Sequence, residues 1–239
     1  HRDLHSFPTR RSSDLNRILP LFCILMSILF IGCSSASRYY KLDNKEHQKE
    51  LAYLLSILEK SDETSESRFI IIQQIIKVLH GAEEQEKLNL FLTTQVQKNL
   101  DDPFNAYYLL TVALNYKEAG AYPFAVHYFE RVLRNFPDIL VRGTSVHYLC
   151  LRNLIVLVNR PEIRVDYYKE LLARFGDVID KGPTYYYLAR TYEELGEWDL
   201  SIQAYKNYLN SSNTSIPGIP DAVREISSMI SFFDRRDKN

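Results

Sequence analysis

The chain has 239 residues, with 29 Lys and Arg against 30 Asp and Glu, a formal net charge of −1 and 46% hydrophobic residues. That length buries a substantial core as one extended domain or a short solenoid, and the near-neutral balance argues against nucleic acid as a main partner, which demands a clearly basic face. Three cysteines, Cys23, Cys33 and Cys150, provide no disulfide framework.

Taken from the N-terminus, residues 1–15 (HRDLHSFPTRRSSDL) carry no helical, strand or targeting pattern. They are similar, residue for residue, to one reading frame of a common short-read sequencing adapter. They are expected to be adapter-derived, with the natural start upstream of Asn16, and are set aside from the fold. Ile18–Gly32 is an uncharged apolar run behind Arg17. Its length suits a signal-peptide core and falls short of the roughly 20 apolar residues that a spanning helix needs. Phe30-Ile31-Gly32-Cys33 then resembles a bacterial lipobox, although Phe30 stands where Leu is usual. The resemblance implies a truncated lipoprotein signal peptide over 16–32, lipidation of Cys33 and a flexible tether over 33–44 that opens with Ser34-Ser35-Ala36-Ser37. Acyl chains contribute about 0.8 kcal/mol per buried methylene, so a triacylated Cys33 would anchor stably. Ser34 in place of Asp implies, by the same resemblance, the outer membrane, with the body facing the periplasm. Without residues 1–32 the net charge is about −3, and Cys150 remains alone as a small core residue.

From residue 45 onward a 3.6-residue apolar period dominates and strand signals are nearly absent. Leu51, Leu54, Leu55 and Leu58 mark a helix over Glu46–Lys60. Phe69, Ile72, Ile76 and Leu79 mark one over Ser65–His80, and Leu88, Phe91, Leu92 and Val96 one over Glu83–Leu100. Joints fall at Ser61–Thr64, His80–Gly81 and Asp101–Pro103, so 45–102 reads as degenerate helical hairpins and Asp101-Asp102-Pro103 as the next helix entrance.

Residues 103–215 contain an internal repeat. From Ala106, successive slots hold Leu109, Val112, Ala113, Tyr116, Gly120, Tyr122, Ala125, Phe129 and Pro137. From Gly182 they hold Tyr185, Leu188, Ala189, Tyr192, Gly196, Trp198, Ser201 and Tyr205, with Asn213 where Pro would be. This pattern resembles the tetratricopeptide repeat (TPR), in which small residues at slots 8 and 20 let two helices approach closely while large ones fill the space around them. The units run over 106–139 and 182–215, with a degenerate copy at 145–178. In that copy Arg152 and Arg164 replace the small residues, and the turn Asn159-Arg160-Pro161 has lost its Gly. Extra residues fall between the units, at Leu140–Thr144 and Ile179–Lys181. A last amphipathic helix over 220–234 is placed to cap the apolar end of the solenoid. The fold class is therefore all-α: a TPR-like helical-hairpin solenoid with a C-terminal capping helix.

In TPR proteins, certain first-helix positions line a concave groove. By resemblance these are Tyr107, Leu110, Leu114 and Lys117 in the first unit, Asn153 in the middle one, and Tyr186, Arg190, Glu193 and Glu194 in the last. Such a groove suits an amphipathic helix or extended peptide, unless neighbouring helices cover it. No nucleophile elbow, H-E-x-x-H, glycine-rich phosphate loop or metal-ligating cluster appears; His147-x-x-Cys150 offers two ligands where zinc needs three or four. No enzyme activity, metal or cofactor is expected. Phe136-Pro137-Asp138 followed by another hairpin, on a Cys-anchored body of this size, is also similar in architecture to outer-membrane-assembly lipoproteins of the BamD type. The expected function is a membrane-anchored scaffold that binds envelope proteins or peptides, with outer-membrane protein assembly as the implied process and no nucleic-acid partner. The alternative is a ligand-binding accessory subunit of a transport system, which would need a closed apolar cavity.

Overall fold

The computed structural model describes residues 40–60, 64–211, 228, 230 and 231. The expected adapter segment, signal peptide, Cys33, the start of its tether and most of the capping helix over 220–234 lie outside the described residues. Among the described residues there are nine helices and one small β-ladder: α1 Lys45–Lys60, α2 Ser65–Gly81, α3 Gln85–Lys98, α4 Asn105–Glu118, α5 Tyr122–Asn135, β1 Leu140–Val141, β2 Thr144–Ser145, α6 Val146–Leu157, α7 Pro161–Phe175, α8 Lys181–Glu194 and α9 Trp198–Ser211. The fold is an all-α solenoid of helical hairpins, and none of these helices is long and apolar enough to cross a membrane.

Each helix buries the stripe that its apolar period dictates. Leu51, Leu54, Leu55 and Leu58 are the buried residues of α1; Ile72, Ile75, Val78 and Leu79 are those of α2. One core runs from Tyr40 and Leu42 through α1–α5 into Val146, Cys150 and Leu154 of α6. A second lies in the last hairpin with Val165 and Tyr168 of α7, and Ile230 packs against it. Leu151, Leu171 and Phe175 form a small cluster between them.

Three hairpin turns share one stop signal. After α4 the Ala121 N–H donates to the Tyr116 carbonyl (2.8 Å) and the Gly120 N–H to that of Lys117 (3.0 Å). After α8 the same pair runs from Glu197 to Tyr192 and from Gly196 to Glu193, and after α2 from Glu84 to Leu79 and from Glu83 to His80. This is the Schellman arrangement, which places one residue in the left-handed region. Gly120 (φ 72°) and Gly196 (φ 74°) adopt it without a Cβ penalty, but in the first hairpin the residue is Glu83 (φ 58°). The sequence places that joint at His80–Gly81; instead Gly81 ends the helix and Glu83 carries the turn. Glu83→Gly is therefore expected to raise stability by about 1 kcal/mol, read as a higher midpoint in urea unfolding. The reciprocal Gly120→Glu is expected to lower it by a similar amount.

Residues 140–145 depart from expectation. Rather than plain spacer, they form an antiparallel ladder, with Leu140 opposite Ser145 and Val141 opposite Thr144. Arg142 (φ 52°) and Gly143 (φ 79°) are both left-handed, the type I′ turn that suits the twist of a two-residue hairpin. The ladder leads straight into α6, whose N-cap Ser145 accepts the Tyr148 N–H (3.0 Å).

Helices α1 to α9 each pack against the next through short turns, so successive helices run antiparallel and alternate turns share an edge. At one edge the starts of α2 and α4 meet, where Phe69 and Phe104 stack at 4.0 Å. The opposite edge carries the turns α2–α3, α4–α5, α6–α7 and α8–α9. The N-terminal stretch lies along α3: Lys87, in its first turn, donates from Nζ to the Lys41 carbonyl (2.8 Å), and Tyr40 lies further along, in a pocket shared with Glu59, Arg68, Lys98 and Asn99 toward the first edge.

Candidate functional site: a cleft in the middle hairpin

The small-residue slots decide how closely each hairpin closes. In the α4–α5 hairpin Ala113 and Ala125 are fully buried, and in α8–α9 so are Ala189 and Ser201. In α6–α7 both slots hold arginine. A guanidinium cannot enter a helix contact dry without a partner, and α6 packs far more loosely on α7 than the other two hairpins pack internally. Arg152 points to solvent. Arg164 reaches across to Glu194 of α8 and forms an ion pair there.

A cleft of about 930 Å³, open to solvent, lies at the α6–α7 unit. Its walls come from the β1–β2 ladder, Tyr148 and Arg152 of α6, Leu171, Arg174 and Phe175 of α7, and the entry to α8. These connectors belong to the edge where α2 and α4 start. Leu140 and Val178, two of the most exposed aliphatic side chains, stand in its walls.

Both arginines lie over aromatic rings. The Arg152 guanidinium carbon is 5.6 Å from the Tyr148 ring centroid, and that of Arg174 is 5.3 Å from the Phe175 centroid. Arg174 also pairs with Glu170 (2.8 Å) and contacts Nδ1 of His147. Arg152 has no acidic partner among the described residues. The acids of the cleft are already engaged. Asp138 accepts the Ser145 hydroxyl (2.7 Å) and the His147 N–H (3.0 Å), and Asp180 accepts the Gly182 N–H (3.0 Å) at the start of α8. Arg152 is thus the cation of the cleft with no acidic partner among the described residues, set on an aromatic and aliphatic floor.

His147 stands behind this floor and is buried. Its Nε2 donates to the Phe136 carbonyl (3.0 Å), which leaves Nδ1 as acceptor toward Arg174. Burial holds its pKa below the ordinary 6.5, opposed by Asp138 and reinforced by Arg174. A depressed imidazole makes the unfolded chain bind more protons below pH 6.5, so stability is full above that value and falls as pH drops through it toward the folded pKa. Thermal unfolding is expected to show a lower midpoint at pH 5 than at pH 7.5, and His147→Gln should reduce that difference. Cys150, one turn on, is buried, and burial raises its thiol pKa far above the usual range, so it is inert core.

No family model matches the chain, and no curated protein matches it.

The groove residues read from the sequence fare unevenly. Leu110 is 2% exposed and belongs to the core, so it cannot line a groove. Tyr107 sits edge-on to Phe69 of α2 (5.4 Å), and Leu114 packs against the same core; α2 covers this end. Lys117 donates to Asn153 Oδ1 (2.7 Å), a link between α4 and α6. Tyr186 packs among Tyr187, Tyr205 and Tyr208. Arg190 pairs with Glu193 (2.8 Å), which also accepts the Tyr205 hydroxyl (2.9 Å), while Glu194 holds Arg164. The polar groove residues are thus engaged, Arg190 within its own helix and Lys117, Glu193 and Glu194 across helices. Of the packing residues, Ala113, Ala125, Phe129, Ala189, Ser201 and Tyr205 are buried as expected, and Gly120 and Gly196 occupy their turns. Pro137 is exposed after α5, and Trp198 is 48% exposed at the start of α9 instead of packed. Sequence reasoning missed the cleft walls Tyr148, Arg174 and Phe175. The available signal was Arg152 and Arg164 in slots that normally hold small residues.

Proposed function

We propose that this chain is a lipid-anchored, TPR-type scaffold of the bacterial envelope, tethered through Cys33, and that it binds a segment of a partner protein in the cleft of its middle hairpin. The observation that carries this reading is Arg152, which has no acidic partner among the described residues, set over an open aromatic and aliphatic floor in the loosely packed middle hairpin. Aromatic and aliphatic surface supplies affinity and fixed arginines select carboxylates bidentately, so the segment is an extended or helical stretch with apolar side chains and an acidic group. The transport-accessory alternative asks for an enclosed apolar cavity. An open cleft of this volume with charged walls favours a polypeptide segment over a small apolar molecule.

The test is site-specific photocrosslinking in intact envelopes, with the reactive group at Leu140 of the cleft wall or at Tyr186 of the expected groove. A single envelope protein captured from Leu140, and lost on Arg152→Glu, is the expected result. Capture from Tyr186 alone would move the binding site to the groove, and capture from neither would remove the scaffold reading.

A further inference from the structure

His147 and Arg174 meet in a contact that only one protonation state of the ring allows. Arginine carries donors and no acceptor, so the Nδ1 that faces Arg174 Nη2 is bare, and the ring proton sits on Nε2, which donates to the Phe136 carbonyl (3.0 Å). Both terminal nitrogens of the guanidinium are thereby engaged. Nη1 donates to Glu170 (2.8 Å) and Nη2 to His147. Arg174 stands in the cleft wall, yet these bonds tie it to its own scaffold.

Protonating Nδ1 replaces an acceptor by a donor and sets two positive charges face to face. Three charged groups act on the ring. Asp138, from the connector after α5, and Glu170, of α7, favour the charged form, and Arg174 opposes it. Cys150, one turn on in α6, is a neutral buried thiol. Asp138 already accepts the His147 N–H (3.0 Å) and the Ser145 hydroxyl (2.7 Å), which fastens it to the start of α6. Of the two side chains in the contact, Arg174 is the one free to move. His147 is 4% exposed and held through its backbone and Nε2, whereas Arg174 is a long, exposed chain. Its ion pair with Glu170 serves as a pivot, and Nη2 is left to the cleft and to solvent. Burial, the largest influence on the ring, keeps its pKa below 6.5, so the release falls on the acid side of that value.

We infer that His147 is a positioning residue for the cleft: its neutral ring holds Arg174 back, and its protonation frees the Nη2 donor to join Arg152 in holding an acidic partner segment. The effect on capture rests on the cleft reading proposed above; the contact itself does not. Linkage makes the effect reciprocal, since a carboxylate that draws Nη2 away from the ring also favours protonation of His147. Capture is therefore expected to strengthen by about tenfold as pH falls through the His147 titration, the contribution of one added charge-assisted hydrogen bond. A merely structural histidine would act with the opposite sign, weakening capture as acid loosens the fold.

The contact is tested by nuclear magnetic resonance on the full chain, labelled with heavy nitrogen and assigned through the backbone. The expected result at pH 7.5 is a coupling across the hydrogen bond between His147 Nδ1 and Arg174 Nη2, with distinct Nη1 and Nη2 signals. On acidification the coupling should vanish and the two signals merge at the midpoint of the His147 titration. No coupling at pH 7.5, a ring that stays neutral until the chain unfolds, or Nη signals that remain distinct once Nδ1 is protonated would overturn the positioning role. The photocrosslink from Leu140 is then repeated at pH 7.5 and 5.5 in the unaltered chain and in His147→Gln. A yield that rises several-fold on acidification only where His147 is present is expected; a yield that falls, or rises equally in both, would overturn control of the cleft. No crosslink at either pH would remove the cleft reading and the control of capture with it, while the contact stands or falls by the titration alone.

Discussion

Replacing Ala113 or Ala125 by Leu is expected to destabilise the chain by about 1–3 kcal/mol, whereas Arg152→Leu, in the slot equivalent to Ala113, should change stability by no more than about 0.5 kcal/mol. Ala113 and Ala125 have no exposed surface, and they hold the slots at which α4 and α5 meet. Three added carbons at that contact have no cavity to enter. They must push the helices apart or force Phe129 and Val112, both fully buried, off their rotamers. In a solenoid each hairpin is stabilised mainly by its neighbours, so loosening α4–α5 also weakens its contacts with α3 and α6. The Arg152 side chain lies at the surface of a hairpin already held open, and a Leu there meets no facing helix. Thermal unfolding followed by circular dichroism reads the difference as a midpoint lowered by roughly 2–4 °C per kcal/mol for a chain of this size. An unchanged midpoint for Ala125→Leu would remove the assignment of the small-residue contact.

The parts of the fold legible in the sequence are those written in residues with one strong physical preference. Ala113, Ala125, Ala189 and Ser201 read as close helix contacts because few other side chains fit there. Gly120 and Gly196 read as turns because the left-handed region excludes most residues with a Cβ. The first hairpin hid its turn because Glu83 occupies that same conformation with no intrinsic preference for it. The β1–β2 ladder was short enough that Leu140 and Val141 passed for linker, although Arg142-Gly143 is a turn pair and β-branched residues flank it. The groove is covered at one end for a different reason. Repeat positions identify which side of a helix a residue takes, but not whether a neighbour covers that side. Phe69 of α2 closes over Tyr107, and the polar residues further along find each other. The cleft was visible only as an exception: two arginines in small-residue slots predict that a hairpin will not close, while the walls that the opening creates come from connectors that follow no period.

Arg152→Glu is expected to weaken capture of the partner segment by tenfold to a hundredfold or more while leaving the unfolding midpoint unchanged. A charge-assisted hydrogen bond contributes about 1.5–3 kcal/mol, which corresponds to that range, and a carboxylate in its place adds repulsion toward an acidic ligand. The fold should tolerate the change because Arg152 is exposed, holds no ion pair among the described residues and lies over the Tyr148 ring. Arg174 is the less discriminating choice. Its loss would free Glu170 and leave Nδ1 of buried His147 without a donor, so reduced binding could not be separated from local disorder. The control is Arg190→Glu, a charge reversal of the same kind in the expected groove, where Arg190 is paired with Glu193. The measurement is titration of the photocrosslinked segment, as a synthetic peptide, into each variant at two salt concentrations. Loss at Arg152 with a weakened salt dependence, and little change at Arg190, is what the cleft requires. Loss at Arg190 with Arg152→Glu binding normally would place recognition on the concave face. The cleft would then be only the space left by a loosely packed hairpin.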